Sequence, residues 1–215
     1  LTSEAGMMSK IFKTVDRNSD DLAALLYTSG TTGRSKGAML TQNNLLSNAK
    51  TLTKLWEVSE SDILIHALPI FHTHGLFVAL NTALLSGCKV NFLVKFDIDE
   101  VLRAMHSSTL LMGVPTFYTR LLADSRLTAQ QTQNMRLFIS GSAPLLAETH
   151  EEFTRRTGHH ILERYGMTET SMITSNPFNG ERRPGTVGTA LADVEITIID
   201  PETGQKKATG EIGGI

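Results

Sequence analysis

Between the apolar run Leu22–Tyr27 and the short apolar segment Ala38–Leu40 lie the ten residues Thr28-Ser29-Gly30-Thr31-Thr32-Gly33-Arg34-Ser35-Lys36-Gly37. Only Arg34 and Lys36 carry charge, and no side chain there can build a core, so the segment must be a loop. Its composition suggests its chemistry. Glycines let backbone N–H groups turn inward, the hydroxyls of Thr28, Ser29, Thr31 and Thr32 add donors, and the Lys36 ammonium offsets negative charge. This is a phosphate cradle, with a plain surface turn as the competing reading. It is not a Walker A loop, which needs four residues between a glycine and a Gly-Lys-Ser/Thr, because here Lys36 follows Ser35 and precedes Gly37.

Downstream the pattern alternates. Thr41 can cap a helix through Leu45, Leu46, Ala49 and Leu52, whose spacing keeps one apolar face. Strand-like Ile63–Leu68, helix-like Gly75–Leu85, strand-like Val90–Val94, helix-like Ile98–His106, strand-like Leu110–Val114 and helix-like Pro115–Leu122 follow. Arg136–Ile139 is another short apolar run, Leu145–Thr157 is amphipathic, and His160–Leu162 and Val194–Ile199 read as strands before the turn Asp200-Pro201-Glu202-Thr203-Gly204. The fold class expected is α/β, a layered and mostly parallel sheet flanked by helices, with ligands beyond the carboxyl ends of the strands. The expected segments are a lead-in over 1–19, the loop and its helix over 20–61, an α/β binding subdomain over 62–186, and the start of a β-rich subdomain over 187–215.

Composition closes off other classes. With 20 Lys plus Arg against 22 Asp plus Glu the net charge is −2, and 20% of residues are charged, so the basic footprint of a nucleic-acid binder is missing. No apolar run is long enough to span a bilayer, and Leu1–Lys10 lacks the basic flank and apolar block of a signal peptide. Cys88 is the only cysteine, which excludes an internal disulfide and fits a reducing compartment, the cytoplasm or an organelle matrix.

The segment Tyr27-Thr28-Ser29-Gly30-Thr31-Thr32-Gly33-Arg34-Ser35-Lys36-Gly37 resembles the phosphate-binding signature of the adenylate-forming enzymes, the superfamily of acyl-CoA synthetases, peptide-synthetase adenylation domains and firefly luciferase. Glu163-Arg164-Tyr165-Gly166-Met167-Thr168-Glu169-Thr170 resembles its second hallmark, and Ser140-Gly141-Ser142-Ala143-Pro144 its adenine-pocket strand end. Phe71-His72-Thr73-His74-Gly75-Leu76 and Gly113–Leu122 further resemble the malonyl-CoA synthetase branch. The resemblance implies ATP, Mg²⁺ and coenzyme A, and two half-reactions: a carboxylate attacks the α-phosphorus of ATP to give an acyl-adenylate and pyrophosphate, then the CoA thiol displaces AMP. A synthetase for another acyl or aryl acid, or a non-catalytic ATP-binding module, are the alternatives.

The residue roles implied follow. Thr28, Ser29, Gly30, Thr31, Thr32, Gly33 and Lys36 would hold phosphate, and Thr168 a phosphate oxygen. Glu169 would carry Mg²⁺, which prefers one or two carboxylates plus substrate phosphates. Tyr165 offers a face for adenine, Gly141, Ser142 and Ala143 line the same pocket, and Glu163, Arg164, Gly166 and Met167 complete the nucleotide side. His72 would line the acyl pocket and gate the reacting carboxylate; Lys36, His72, Thr168 and Glu169 form the catalytic set. A dicarboxylate such as malonate needs a second anion site, for which Arg120, aided by Ser140 or Ser142, is the expected partner and Arg164 its competitor. His106, His150, His159 and His160 read as exposed helix and turn residues. Family members also carry a long portion before the loop and a small lid domain after it, so the chain is expected to be a central fragment with little activity alone.

Overall fold

The structure, a computed structural model, describes residues 2–9, 11, 13–28 and 35–215. The loop positions Ser29, Gly30, Thr31, Thr32 and Gly33 lie outside the described residues. After a short helix α1 (Thr2–Met7), strands β1 (Leu22–Thr28) and β2 (Lys36–Thr41) pair antiparallel as a two-stranded sheet of their own. Thr28 faces Lys36 across that ladder, so the two ends of the expected phosphate loop are held side by side. Thr41 then starts α2 (Gln42–Leu55): its hydroxyl accepts from the Asn44 N–H while the Asn44 side chain accepts from the Thr41 N–H, a reciprocal cap that satisfies two orphan donors.

The main sheet holds β3 (Ile63–His66), β4 (Lys89–Phe92), β5 (Leu110–Gly113), β6 (Leu137–Ser140), β7 (Leu162–Met167), β8 (Ser171–Ser175) and β9 (Thr189–Ala190), in spatial order 4-3-5-6-7-8-9. The first five strands in that order run parallel and the last two add on antiparallel. A π-helix (His74–Leu80) followed by α3 (Asn81–Ser86) links β3 to β4, whereas α4 (Ile98–Met105), α5 (Pro115–Leu122) and α6 (Ala147–Thr157) carry the chain the other way across the sheet. Right-handed crossovers in opposite directions put the two groups of helices on opposite faces. The packing agrees, with α2 against α3 and the π-helix, and α5 against α6. Covered on both faces, β5 and β6 are continuous apolar runs: Leu110, Leu111, Met112, Leu137, Phe138 and Ile139 are all buried.

The amino ends of the central strands are clamped by one buried acid. Asp62 accepts from Arg136 Nε and Nη2, both at 2.6 Å, from Thr109 Oγ1 at 2.7 Å and from the Ser59 N–H at 2.9 Å. Thr109 and Arg136 stand just before β5 and β6, and Asp62 itself just before β3, so a single carboxylate ties three strand starts together.

Three expectations are corrected. The helix expected over 75–85 is a π-helix that passes into α3, because apolar spacing does not encode which carbonyl each N–H will choose. The strand expected at His160–Leu162 begins at Leu162 and runs to Met167, lengthened by its antiparallel partner β8. The β-branched run Val194–Ile199 forms no strand: only Ile199 pairs, in isolated bridges to Lys206 and Gly214.

Candidate functional site

Strand order turns back on itself at β3 and β5, and at such a switch point the loops leaving the carboxyl ends diverge and leave a crevice. Four sequence segments leave from that edge: Ala67–Gly75 after β3, Val114 after β5, Gly141–Pro144 after β6 and Thr168–Thr170 after β7.

A buried cation sits there. Arg164 on β7 is 3% exposed, and its Nε and Nη2 have no hydrogen-bond partner. Its guanidinium lies so close to the backbone of Gly141 that a β-carbon at that position would come 2.4 Å from Cζ. Burial lowers its pKa to about 10, which leaves it a cation at neutral pH. Other buried polar groups near this edge also lack partners: both ring nitrogens of His66, Thr73 Oγ1, His74 Nε2 and Ser140 Oγ. Buried polar atoms are nearly always satisfied, so this concentration makes the edge the candidate site.

Of the two histidines in the loop after β3, the buried one is His74. It is 4% exposed, its Nδ1 stands 3.1 Å from Ser142 Oγ, and its pKa is held well below the ordinary value by burial and by the charges of Arg164, His66 and His72. His72 is exposed at the mouth. The signal that could have found His74 is the next residue: a β-carbon on Gly75 would come 2.3 Å from the Pro69 carbonyl oxygen, so the chain packs tightly there and turns inward. His66 was missed because it reads as one more residue in an apolar strand, where it stacks at a tilt on Phe92 with ring centroids 5.0 Å apart. Burial lowers its pKa too.

The phosphate side is marked by a contact between the first and second motifs. Thr28 Oγ1 donates to Glu169 Oε1 at 3.0 Å, which joins the β1–β2 hairpin to the turn after β7. Lys36, exposed, faces Thr28, and Thr168 is half-buried beside Glu169. The turn is tied by Thr170 Oγ1, which accepts from the Met167 N–H at 3.3 Å. Gly166 is required where it stands, since a β-carbon there would meet the Ser171 carbonyl at 2.2 Å; Tyr165, half-buried, precedes it at a bulge. Ser142 and Ala143 are exposed after the buried Gly141. One carboxylate beside a hydroxyl and a cation fits Mg²⁺, which takes few protein ligands when phosphates supply the rest. Among the described residues no group of three or more His, Cys, Asp or Glu could hold a metal ion by itself.

Two expected site residues have neighbours of their own. The buried Oε1 of Glu163 accepts from His150 Nδ1 at 3.0 Å and from the Gly185 N–H at 3.1 Å, pinning α6 and the loop between β8 and β9 to β7. His150 is therefore 1% exposed rather than a surface helix residue, and His159 is half-buried with its Nε2 3.1 Å from the Thr132 carbonyl oxygen. Arg120 is exposed on α5, its guanidinium over the Phe96 ring at 4.6 Å.

The comparisons with known proteins agree with this fold. The ATP-bound crystal structure of MatB from Rhodopseudomonas palustris matches with a TM-score of 0.94 at 60% identity, covering 99% of this chain and 42% of that one. A benzoate CoA ligase from Burkholderia xenovorans LB400 matches with a TM-score of 0.85 at 26% identity, over 99% of this chain and 43% of its own. The malonate–CoA ligase of Arabidopsis thaliana is 39% identical over 213 residues, 90% of this chain and 35% of that protein. The chain thus spans about a third of the length of the curated relatives it matches. The signature of the family described as AMP-binding enzyme matches residues 3–215, and the chain belongs to that family.

Proposed function

We propose that the chain provides the nucleotide- and acid-binding part of an AMP-forming acid–CoA ligase whose acid is malonate. The observation that carries the choice of acid is Arg164: a buried cation with unpartnered nitrogens at the carboxyl edge of the sheet needs an anion, and a monocarboxylate would bring none once its own carboxylate is spent on ATP. In this reading Arg164, and not the exposed Arg120, pairs with the distal carboxylate, with His74 and Ser142 beside it. The malonate–CoA ligase of Arabidopsis thaliana, 39% identical, supports the same reading.

The reaction is a charge problem. Thr28, Lys36 and Thr168 hold and neutralise the departing pyrophosphate, and Mg²⁺ on Glu169 would add charge neutralisation there. Tyr165 and the Gly141–Ala143 backbone hold the adenine, which leaves the α-phosphorus facing the acid. No helix among the described residues is long and apolar enough to cross a membrane; we place the enzyme in the cytoplasm or an organelle matrix.

The test is carboxylate-dependent exchange of pyrophosphate into ATP by the full-length protein, with malonate, methylmalonate, acetate and a medium-chain fatty acid side by side. Exchange with malonate far above acetate is expected. Equal exchange with acetate would move the assignment to another acyl acid, and ATP binding that no acid alters would leave a nucleotide-binding module.

A further inference from the structure

Ser142 has an unusual backbone. Its φ is +68°, a left-handed conformation that glycine takes freely and serine rarely does. A glycine would fit without strain, so what serine adds at this position is its hydroxyl. That hydroxyl meets His74 Nδ1 at 3.1 Å, and the direction of the bond decides what else it can do.

The His74 ring is held neutral by burial and by Arg164, so it carries one N–H. Placed on Nε2, that hydrogen would be a buried donor with no acceptor, within electrostatic reach of a buried cation. Orphaned buried N–H groups are rarer than orphaned acceptors, and a lone pair beside a cation is the favourable arrangement. Placed on Nδ1, the hydrogen is satisfied at once by Ser142 Oγ. The Ser142 oxygen is then occupied as an acceptor, and its own proton remains to be donated from the exposed side of the loop after β6, next to the residue on which Arg164 rests.

We infer that His74 is a positioning residue whose Nδ1–H fixes Ser142 Oγ as an acceptor, so that the Ser142 hydroxyl donates to a carboxylate oxygen of the acid substrate. This rests on the acid–CoA ligase reading for the identity of the ligand, but not for the direction of the bond.

Two measurements test it. Histidine-selective ¹⁵N NMR of the full-length protein at pH 7.5 should find His74 as the Nδ1–H tautomer; an Nε2–H tautomer overturns the inference whether or not any acid is turned over. In pyrophosphate exchange, Ser142→Gly, which suits the backbone, should raise the KM for malonate about tenfold with the KM for ATP unchanged. His74→Leu should do the same, and His74→Asn, whose amide keeps a donor near Nδ1, should restore most of the loss. The double variant Ser142→Gly, His74→Leu should be no worse than either single one, because the pair acts as a unit. Independent, multiplying losses would overturn the inference, as would a rise in the KM for ATP alone. If no acid supports exchange, the ligase reading falls and the tautomer still decides the bond.

Discussion

The guanidinium of Arg164 lies flat against the backbone of Gly141, with no room for a β-carbon between them. Gly141→Ala must therefore displace a buried charge or push apart β6 and β7. Overpacking of this kind costs about 1–3 kcal/mol, measurable by urea unfolding. The KM for malonate should rise by more than the KM for ATP, because the displaced group is the proposed anion partner.

The two candidate arginines should separate cleanly. Arg164→Leu removes a buried, fully desolvated charge, and malonate binding should weaken by about 2–5 kcal/mol. Arg120→Ala removes only an exposed contact over Phe96, worth about 0.5–1 kcal/mol to stability, and should leave the malonate KM unchanged. Titrating both variants with malonate in the exchange assay reads the difference; a loss confined to Arg120→Ala would reverse the assignment.

Buried neutral histidines give the fold an acid limit. His66 and His74 have pKa values lowered first of all by burial, so the unfolded chain takes up protons below about pH 6.5 that the folded chain refuses. Stability should be full above that pH and fall as pH drops towards the folded values, by up to about 1.4 kcal/mol per pH unit for each histidine. Thermal melts between pH 7.5 and 5.5 check this, and His66→Phe should flatten the slope.

Asp62 acts at lower pH and with the opposite shift. Burial alone would raise its pKa, but hydrogen bonds from Arg136, Ser59 and Thr109 and the charge of Arg136 take it below its ordinary 3.8. Its contribution is present above that ordinary value and is lost as pH falls through the lower folded value. Arg136→Leu strands the carboxylate and should cost about 3 kcal/mol at pH 7 in urea unfolding. The same variant should show less loss below pH 4, where the stranded acid can be protonated.

Local signals in the sequence located whole elements. Thr41 with Asn44 three residues on marks the start of α2, and Pro115 the first residue of α5, because caps depend on neighbours in sequence. Gly141–Pro144 and Thr168–Thr170 could be placed after β6 and β7 for the same reason: a strand followed by a turn of small and polar residues is a local pattern. What the sequence hid was burial of charge and the choice of pairing partner. Arg120 and Arg164 are both cations near apolar residues, and only the assembled sheet makes one a surface group and the other an enclosed one. Glu163 stands inside a nucleotide-binding motif, yet its partners come from α6 and from Gly185, which no local pattern links to it. Ser171–Ser175 looks too polar for a strand until β7 supplies the ladder for it.

Glu163 and Arg164 are consecutive on β7, and successive side chains of a strand leave on opposite sides. The acid is bound to His150, whereas the cation rests on Gly141 with its Nε and Nη2 unpartnered. A slip of β7 by one residue against β6 would exchange them, setting a carboxylate against Gly141 and the site that should welcome an anion. The register between Ser140 and Glu163 thus fixes the polarity of the pocket, and any variant that loosens that pairing threatens to invert the ligand preference as well as weaken the fold.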